Sequence, residues 1–364
     1  MEGMVRPNSE LWKGKRVLVT GHTGFKGSWL VLWLQALGAV PLGLSLAPES
    51  TPSLSAAAEI ETRFESIRCD IRDGERLMAA VKSLAPDIVL HLAAQTLVRR
   101  SYREAILTFE TNVMGTAHLL EAVRATPSVQ AVVIVTTDKC YENNEWVWAY
   151  REIDALGGHD PYSASKACAE ILTASWRRSF LSGAAKGDRK IAVATARAGN
   201  VIGGGDWAED RLVPDCARAF GKGEPVVIRN PRATRPWQHV LEPLCGYLLL
   251  AERLMLDGDH FAEAWNFGPD ANDIQPVSWV LDRLVEEWGG DARWELVSGD
   301  HPHEAGLLAV DAAKGRAQLG WRPRLALKEA IAWTADWYKR AQSGEDASQL
   351  VFEQIRAYET KKVG

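Results

Sequence analysis

Through about the first 200 residues, short unbroken apolar runs bounded by turn residues alternate with longer stretches whose apolar positions recur every three or four residues. The short runs predict strands at Lys15–Thr20 (KRVLVT), Val40–Leu46 (VPLGLSL), Glu65–Asp70 (ESIRCD), Asp87–Ala94 (DIVLHLAA), Ala131–Thr137 (AVVIVTT) and Lys190–Gly199 (KIAVATARAG). Between them, Ser28–Gly38 predicts an amphipathic helix, and helices are also expected at Glu75–Ala85, Tyr102–Arg124 and Pro161–Phe180. The Pro- and Ser-rich Ala47–Ser55 reads as an exit loop. Strands and helices that alternate in this way predict a parallel sheet covered on both faces. After Asn200–Trp207 (NVIGGGDW) the rhythm loosens, with helices expected at Val240–Met255, Val277–Gly289, Leu325–Ala341 and near Leu350–Tyr358.

The expected architecture is α/β: a Rossmann-type doubly wound parallel sheet over residues 1–200, with later segments threading back to it, and a smaller mixed C-terminal substrate-binding lobe over 201–364. The cleft between lobe and strand ends is the expected small-molecule site.

Composition narrows the field without choosing a chemistry. At 46% hydrophobic and 24% charged, the 364 residues are ordinary for a globular chain. A formal charge of -5 with no dense Lys/Arg run argues against a nucleic-acid surface, so an anionic substrate must be held by a few placed cations. No stretch reaches transmembrane length, and the opening MEGMVRPNSELWKGKR lacks a signal-peptide core, which favours a cytoplasmic chain with no membrane partner. Cys69, Cys140, Cys168, Cys216 and Cys245 form no CxxC pair and read as scattered reduced thiols. His301, His303 and Glu304 (HPHE) lack the HExxH spacing, and no metal is expected.

Directly after the first strand, GHTGFKG places Gly21, Gly24 and Gly27 in a GxxGxxG arrangement before a helix. Small residues permit a tight turn, and the N–H groups of a helix start suit a pyrophosphate. A tight strand–helix turn alone would read the same way; the surrounding alternation favours a dinucleotide held by the whole segment, Thr23, Phe25 and Lys26 included. Where a ribose carboxylate is expected, the second strand ends in Leu46, Ala47 and Pro48, with Glu49 just beyond, either reaching the ribose or simply solvated. That loop has no Arg for a 2′-phosphate, so the expected cofactor is NAD. Asp70 and Ile71 are candidates for the adenine edge, although Asp70 could equally cap the next helix. Ala93, Ala94, Gln95 and Thr96 leave room for ribose and pyrophosphate.

In PYSASK, Tyr162 and Lys166 share one helical face. A neighbouring ammonium favours the phenolate, so Tyr162 is expected to take a proton from a sugar hydroxyl as hydride leaves the same carbon. Thr137, at the end of the preceding strand, completes a hydride-transfer set. Asp138 and Lys139 exceed what simple alcohol oxidation needs. Oxidation at C4 of a hexose acidifies C5, and elimination then requires an acid at the C6 hydroxyl and a base at C5. Asp138, if protonated, fits the acid; Lys139, if neutral, fits the base, or if charged, steadies the enolate. An ordinary Asp–Lys loop pair is the bland alternative.

Together GHTGFKG, HLAAQ, TTDKCY, PYSASK, ARAGNVIGGGDW and RPWQHV resemble the extended short-chain dehydrogenase/reductase superfamily, and within it the branch of CDP-glucose 4,6-dehydratases. The resemblance implies catalytic use of NAD and conversion of CDP-D-glucose to CDP-4-keto-6-deoxy-D-glucose. It implies that Thr137 and Tyr162 handle the C4 hydroxyl, that Lys166 supports Tyr162 and the nicotinamide ribose, and that Asp138 serves the C6 hydroxyl. Lys139 stands where related dTDP- and GDP-sugar enzymes carry an acid. Asn200 is implied beside the substrate, with Arg211 and Arg235 as phosphate ligands. Arg211 reads equally as a lobe salt bridge, and His239 either as a substrate contact or as a helix-start hydrogen bond. Asn112 is expected to order backbone. A homodimer through Tyr102–Arg124 and Pro161–Phe180 is also implied. An NDP-sugar 4-epimerase, or a dehydratase for another nucleotide sugar, is the competing reading.

Overall fold

The computed structural model describes residues 5–183, 190–296 and 306–361, so His301, His303 and Glu304 lie outside the described residues. Among them run the strands β1 (Arg16–Thr20), β2 (Val40–Ser45), β3 (Ser66–Arg68), β4 (Ile88–His91), β5 (Ala131–Val135), β6 (Ala192–Ala198), β7 (Asn200–Ile202), β8 (Val226–Ile228), β9 (Thr234–His239), β10 (Ala264–Phe267), β11 (Ile274–Pro276) and β12 (Trp294–Leu296). Seven form one sheet in the order β10-β6-β5-β4-β1-β2-β3, every neighbouring pair parallel. This is the expected Rossmann-type sheet with one strand added. The order reverses between β1 and β4, the switch point at which such sheets open a crevice. Helices cover both faces, which is why β4 and β5 are buried at every position.

The helix Phe25–Ala36 departs from the expected amphipathic pattern. Its residues Gly27 to Leu34 are all buried, because it packs against β1 and β2 on one side and the terminal helix Ala347–Thr360 on the other. A helix covered on both sides must be apolar all round. The predicted crossover Tyr102–Arg124 is also broken into pieces: Val98–Arg103 and Ala105–Phe109 meet at Glu104, whose backbone leaves the helical region, and a π-turn at Glu110–Met114 precedes Gly115–Arg124.

After β6 the chain divides its residues between lobe and sheet. β7, β9 and β11 make a three-stranded mixed sheet, and β8 pairs with β12. The helix Leu241–Phe261 then packs on β5 and β6, and β10 extends the main sheet beside β6.

The terminal helix is tied down by a buried acid. Glu242 Oε1 accepts the N–H groups of Arg324 and Leu325, each at 2.8 Å, and Oε2 accepts the Tyr358 hydroxyl at 2.7 Å. The Arg324 guanidinium reaches the Tyr358 and Val5 carbonyls, so one contact set holds both ends of the described chain. Burial pushes the Glu242 carboxyl up to about 7, against the hydrogen bonds that favour its ionised form. Because the folded value lies above the unfolded one, this contribution is full at low pH and is lost as pH rises through about 7. Glu242→Gln keeps the acceptor and removes the titration. Thermal melts between pH 5 and 8 should therefore fall less steeply in the variant, by at most about 3 kcal/mol over that window; equal slopes would remove the assignment.

Candidate functional site

The C-terminal ends of the sheet strands open into a cleft of about 1660 Å³ shared with the lobe. At its cofactor side, Gly21 sits at a left-handed φ of 73°, and a Cβ there would lie 2.8 Å from the Ala93 nitrogen. A Cβ on Gly27 would come within 2.1 Å of the Gly21 carbonyl oxygen. These two glycines let strand, turn and helix close upon each other. Gly24 differs: it is the N-cap of Phe25–Ala36, lends no capping side chain, and a Cβ would meet only the Gly21 carbonyl, at 3.3 Å. The N–H groups of the helix start therefore face an open cradle suited to a diphosphate.

Thr23 ties this turn to the end of β2, its Oγ1 lying 2.7 Å from the Ser45 hydroxyl and donating to the Leu46 carbonyl at 2.9 Å. Phe25, Lys26, Asp70, Ile71, Ala93, Ala94, Gln95 and Thr96 all line the cleft. Asp70 is not the helix cap: Asp73 accepts from Arg76 N at the start of Gly74–Leu84, and Asp70 is bonded to the Arg72 backbone and guanidinium. Glu49 pairs with Arg100 at 3.1 Å. Gln95 spends its amide within the protein, donating to Leu97 O in its own loop and to Thr108 Oγ1 on the helix Ala105–Phe109, and accepting from Leu97 N. That loop is fixed by Asn112, which accepts from Gln95 N at 2.9 Å and donates to Gln95 O and Ser165 Oγ. The π-turn carrying Asn112 turns the amide inward, a frequent use of such turns near functional sites.

Thr137 caps the single turn Asp138–Cys140 that ends β5, accepting from Lys139 N at 3.3 Å. Its hydroxyl also meets Asp138 Oδ1 at 3.1 Å and bonds to the Tyr162 phenol. Asp138 is 1% exposed, and its Oδ2 has no partner among the described residues. Burial raises its carboxyl despite Lys139, Arg235 and Lys26 nearby, which favours a protonated acid. Lys139 is half-buried and lines the cleft beside it.

Tyr162 and Lys166 stand on the helix Pro161–Trp176, whose start is capped by Asp160 accepting from Ser163 N. The Lys166 ammonium donates to Val135 O at 3.1 Å, and burial lowers it to about 8 against the pull of Glu170. The expected depression of the phenol is not seen. Burial takes Tyr162 up to about 12, with Thr137 and Arg211 opposing, while Lys166 is turned to the strand carbonyl. Lys26 lies on the cleft wall, lowered to about 7 by burial and by the charge of Arg211.

Across the cleft, Asn200, Arg211 and Arg235 face the same space. Arg211 makes the salt bridge of one of its readings, pairing with Asp206 at 3.0 Å, while its second amino group reaches Thr96 Oγ1 at 3.0 Å on the cleft wall. Arg235 is 8% exposed and donates to Thr234 O. His239 is a correction. It is fully buried between Trp29 and Trp333, does not line the cleft, and accepts from Leu241 N at 3.3 Å. Burial pushes it down to about 3, so it is a neutral core residue at a helix start. Sequence reasoning missed Asp206, which orients Arg211, and Arg99, which pairs with Asp210 at 3.3 Å across the cleft mouth. Asp206 falls within NVIGGGDW and Arg99 within no motif, but only the folded chain brings these partners together. Among the described residues no group of three metal-ligating side chains occurs, and no helix is long and apolar enough to cross a membrane.

Residues 18–257 match the family described as GDP-mannose 4,6 dehydratase. The chain is 50% identical to the CDP-glucose 4,6-dehydratase of Salmonella typhimurium over 339 residues, covering 93% of this chain and 94% of that protein. Among solved structures it is similar to the dTDP-glucose 4,6-dehydratase of Streptomyces venezuelae with NAD bound, at TM-score 0.75 and 25% identity, covering 92% and 99% of the two chains. The UDP-glucose 4-epimerase of Thermus thermophilus in complex with NAD is similar too, at TM-score 0.76 and 26% identity, covering 90% and 99%.

The two kinds of glycine in the turn should separate experimentally. Gly27→Ala forces the backbone apart, so its melting temperature should fall and its affinity for NAD, followed by tryptophan fluorescence, should drop at least about tenfold. Gly24→Ala should weaken binding while leaving the melting temperature of the apoprotein nearly unchanged. Equal melting losses in both variants would contradict the cradle geometry.

Proposed function

The chain belongs to the GDP-mannose 4,6 dehydratase family, and from that premise we propose that it is an NAD-dependent lyase converting CDP-D-glucose to CDP-4-keto-6-deoxy-D-glucose and water. The observation that carries this reading is Asp138: a buried, protonation-favouring carboxyl whose Oδ2 has no partner among the described residues, hydrogen-bonded through Thr137 to the Tyr162 phenol. An epimerase needs Tyr162 and Lys166 alone, whereas loss of water needs a proton donor at the departing oxygen.

The cradle formed by Gly21, Gly24 and Gly27, with Thr23, Ile71, Ala93 and Ala94 around it, fits a dinucleotide. Bound there, NAD supplies the acceptance of hydride from sugar C4 and its return to C6. Tyr162 takes the proton of the C4 hydroxyl, Thr137 holds the same oxygen, and Lys166 favours the phenolate. Burial holds the Tyr162 phenol up at about 12, so taking that proton at neutral pH relies on neighbouring positive charge, Arg211 included. Asp138 gives its proton to the C6 hydroxyl as the C6–O bond breaks and water departs. Lys139 serves C5, as base when neutral or as the cation that steadies the enolate when charged. Arg211 and Arg235 hold the diphosphate, Asp206 keeping Arg211 in place, with Asn200 beside the sugar. The choice of cytidine rests on the 50% identity to the Salmonella enzyme.

Exposed apolar residues on the outer helices support a homodimer. Tyr102, Ile106, Met114 and Ile171 are all about half or more exposed, on the two helical segments that the family resemblance assigns to pairing.

CDP-D-glucose deuterated at C4 should yield a product lighter by one water, with deuterium at C6. A C4 epimer that keeps its C6 hydroxyl would reject the reading, and faster turnover of dTDP-glucose would reject the cytidine choice alone. Asp138→Asn should cut dehydration at least about a hundredfold while C4 oxidation persists. Light scattering should give twice the 40.1 kDa chain mass; a single-chain mass would remove the dimer.

A further inference from the structure

Behind the catalytic turn lies a charge pair that the proposed chemistry does not use. Glu170 and Arg197 are each 3% exposed and meet at 2.9 Å. The Glu170 carboxylate also accepts the hydroxyls of Thr136 and Thr195, so three donors hold it ionised, and its acidity is strengthened accordingly despite burial. Arg197 reaches on to the Tyr141 hydroxyl at 2.8 Å, which in turn donates to Asn266, and the guanidinium lies 4.9 Å over the Tyr141 ring. Thr136 immediately precedes the turn carrying Thr137 and Asp138, and Tyr141 immediately follows it. The network therefore grips both ends of that turn. Glu170 also stands one helical turn beyond Lys166 on the same helix.

A buried ion pair adds little net stability over well-packed apolar residues. Its local effects are position and field. The titratable groups acting on or feeling Lys166 are Glu170 on its own helix, Cys140 on the turn, Lys26 on the helix after β1, and His91 on β4; Tyr162 stands one turn earlier on the same helix, and Asp138 shares the turn with Cys140. His91 is kept neutral by burial, and Cys140 and Asp138 are pushed toward their protonated forms. Among these, Glu170 is the ionised acid.

We propose that Glu170, anchored by Arg197, is a positioning residue for the dehydration: it fixes the Thr136–Tyr141 turn and supplies the negative field that keeps the Lys166 ammonium charged. This rests on the reaction proposed above for its kinetic consequence, but not for its effect on Lys166. A charged Lys166 is required by the phenolate, so activity is lost as pH rises through its titration. Removing Glu170's charge lowers that titration and moves the basic limb of the kcat profile to lower pH.

Lysine ¹³Cε resonances of the apoprotein, with Lys166 assigned by its absence in Lys166→Ala, read the titration directly. Glu170→Gln should lower the Lys166 midpoint by roughly one pH unit. In the full enzyme the basic limb of kcat should move the same way, with KM for CDP-glucose changed less than about twofold. Because Glu170→Gln strands a buried guanidinium and can unfold the chain, the double variant Glu170→Gln/Arg197→Met removes both charges. It should melt near the wild type and still show the lowered midpoint. A wild-type midpoint in a folded variant, or loss of folding in both, would make the pair purely structural and overturn the proposal. Absence of turnover by the wild type would reject the reaction instead, leaving the apoprotein titration to decide this point.

Discussion

A parallel sheet delivers every strand end to one edge, and it is there that hydrophobic strands must hand over to polar residues. Ala131–Val135 is wholly buried, and of the residues that follow it Thr136, Thr137, Asp138 and Cys140 are buried too. The polar groups there must satisfy each other or wait for a ligand. Thr136 finds Glu170, Thr137 finds Asp138 and Tyr162, and Asp138 Oδ2 finds nothing among the described residues. An unmet buried oxygen is expensive in a purely structural turn and useful in one that must present a proton.

The electrostatics of the site follow from that enclosure. Burial pushes the carboxyl of Asp138 up, the ammonium groups of Lys26 and Lys166 down, and the phenol of Tyr162 up. Each group is driven toward its neutral form. Glu170, with three donors, resists, as do Arg197 and Arg211 beside their acidic partners. The protein thus sorts these buried acids by hydrogen-bond supply: Glu170, given three donors, stays charged and holds shape, whereas Asp138, whose Oδ2 has no partner among the described residues, is biased toward its protonated form.

How much of this was legible in the sequence depended on whether a residue's partner lay close along the chain. Gly21, Gly24 and Gly27 could be read because a strand–turn–helix unit is local, and Tyr162 with Lys166 because helical spacing puts them on one face. His239 could not be placed, since a histidine before a helix looks the same whether it faces a cleft or, as here, two tryptophans from distant helices. Asp70 and Asp73 compete for the same cap, and only the backbone course chooses Asp73. β9 went unread because Pro236 argues against a central strand, yet it is the middle strand of the lobe's three-stranded sheet, with Pro236 opposite Ile274. The apolar run Trp29–Leu34 signalled a helix but not its second cover, which arrives only with Ala347–Thr360.

The main sheet is completed by β10, which pairs with β6 only after the intervening lobe segments and the helix Leu241–Phe261 have been made. On the ribosome, β6 therefore emerges with a naked flank of amide and carbonyl groups long before its neighbour exists. Nascent chains at that stage are most exposed to adhesion with one another, which gives chaperones a defined interval in which to act. Any truncation ahead of Ala264 would freeze the protein in that vulnerable form.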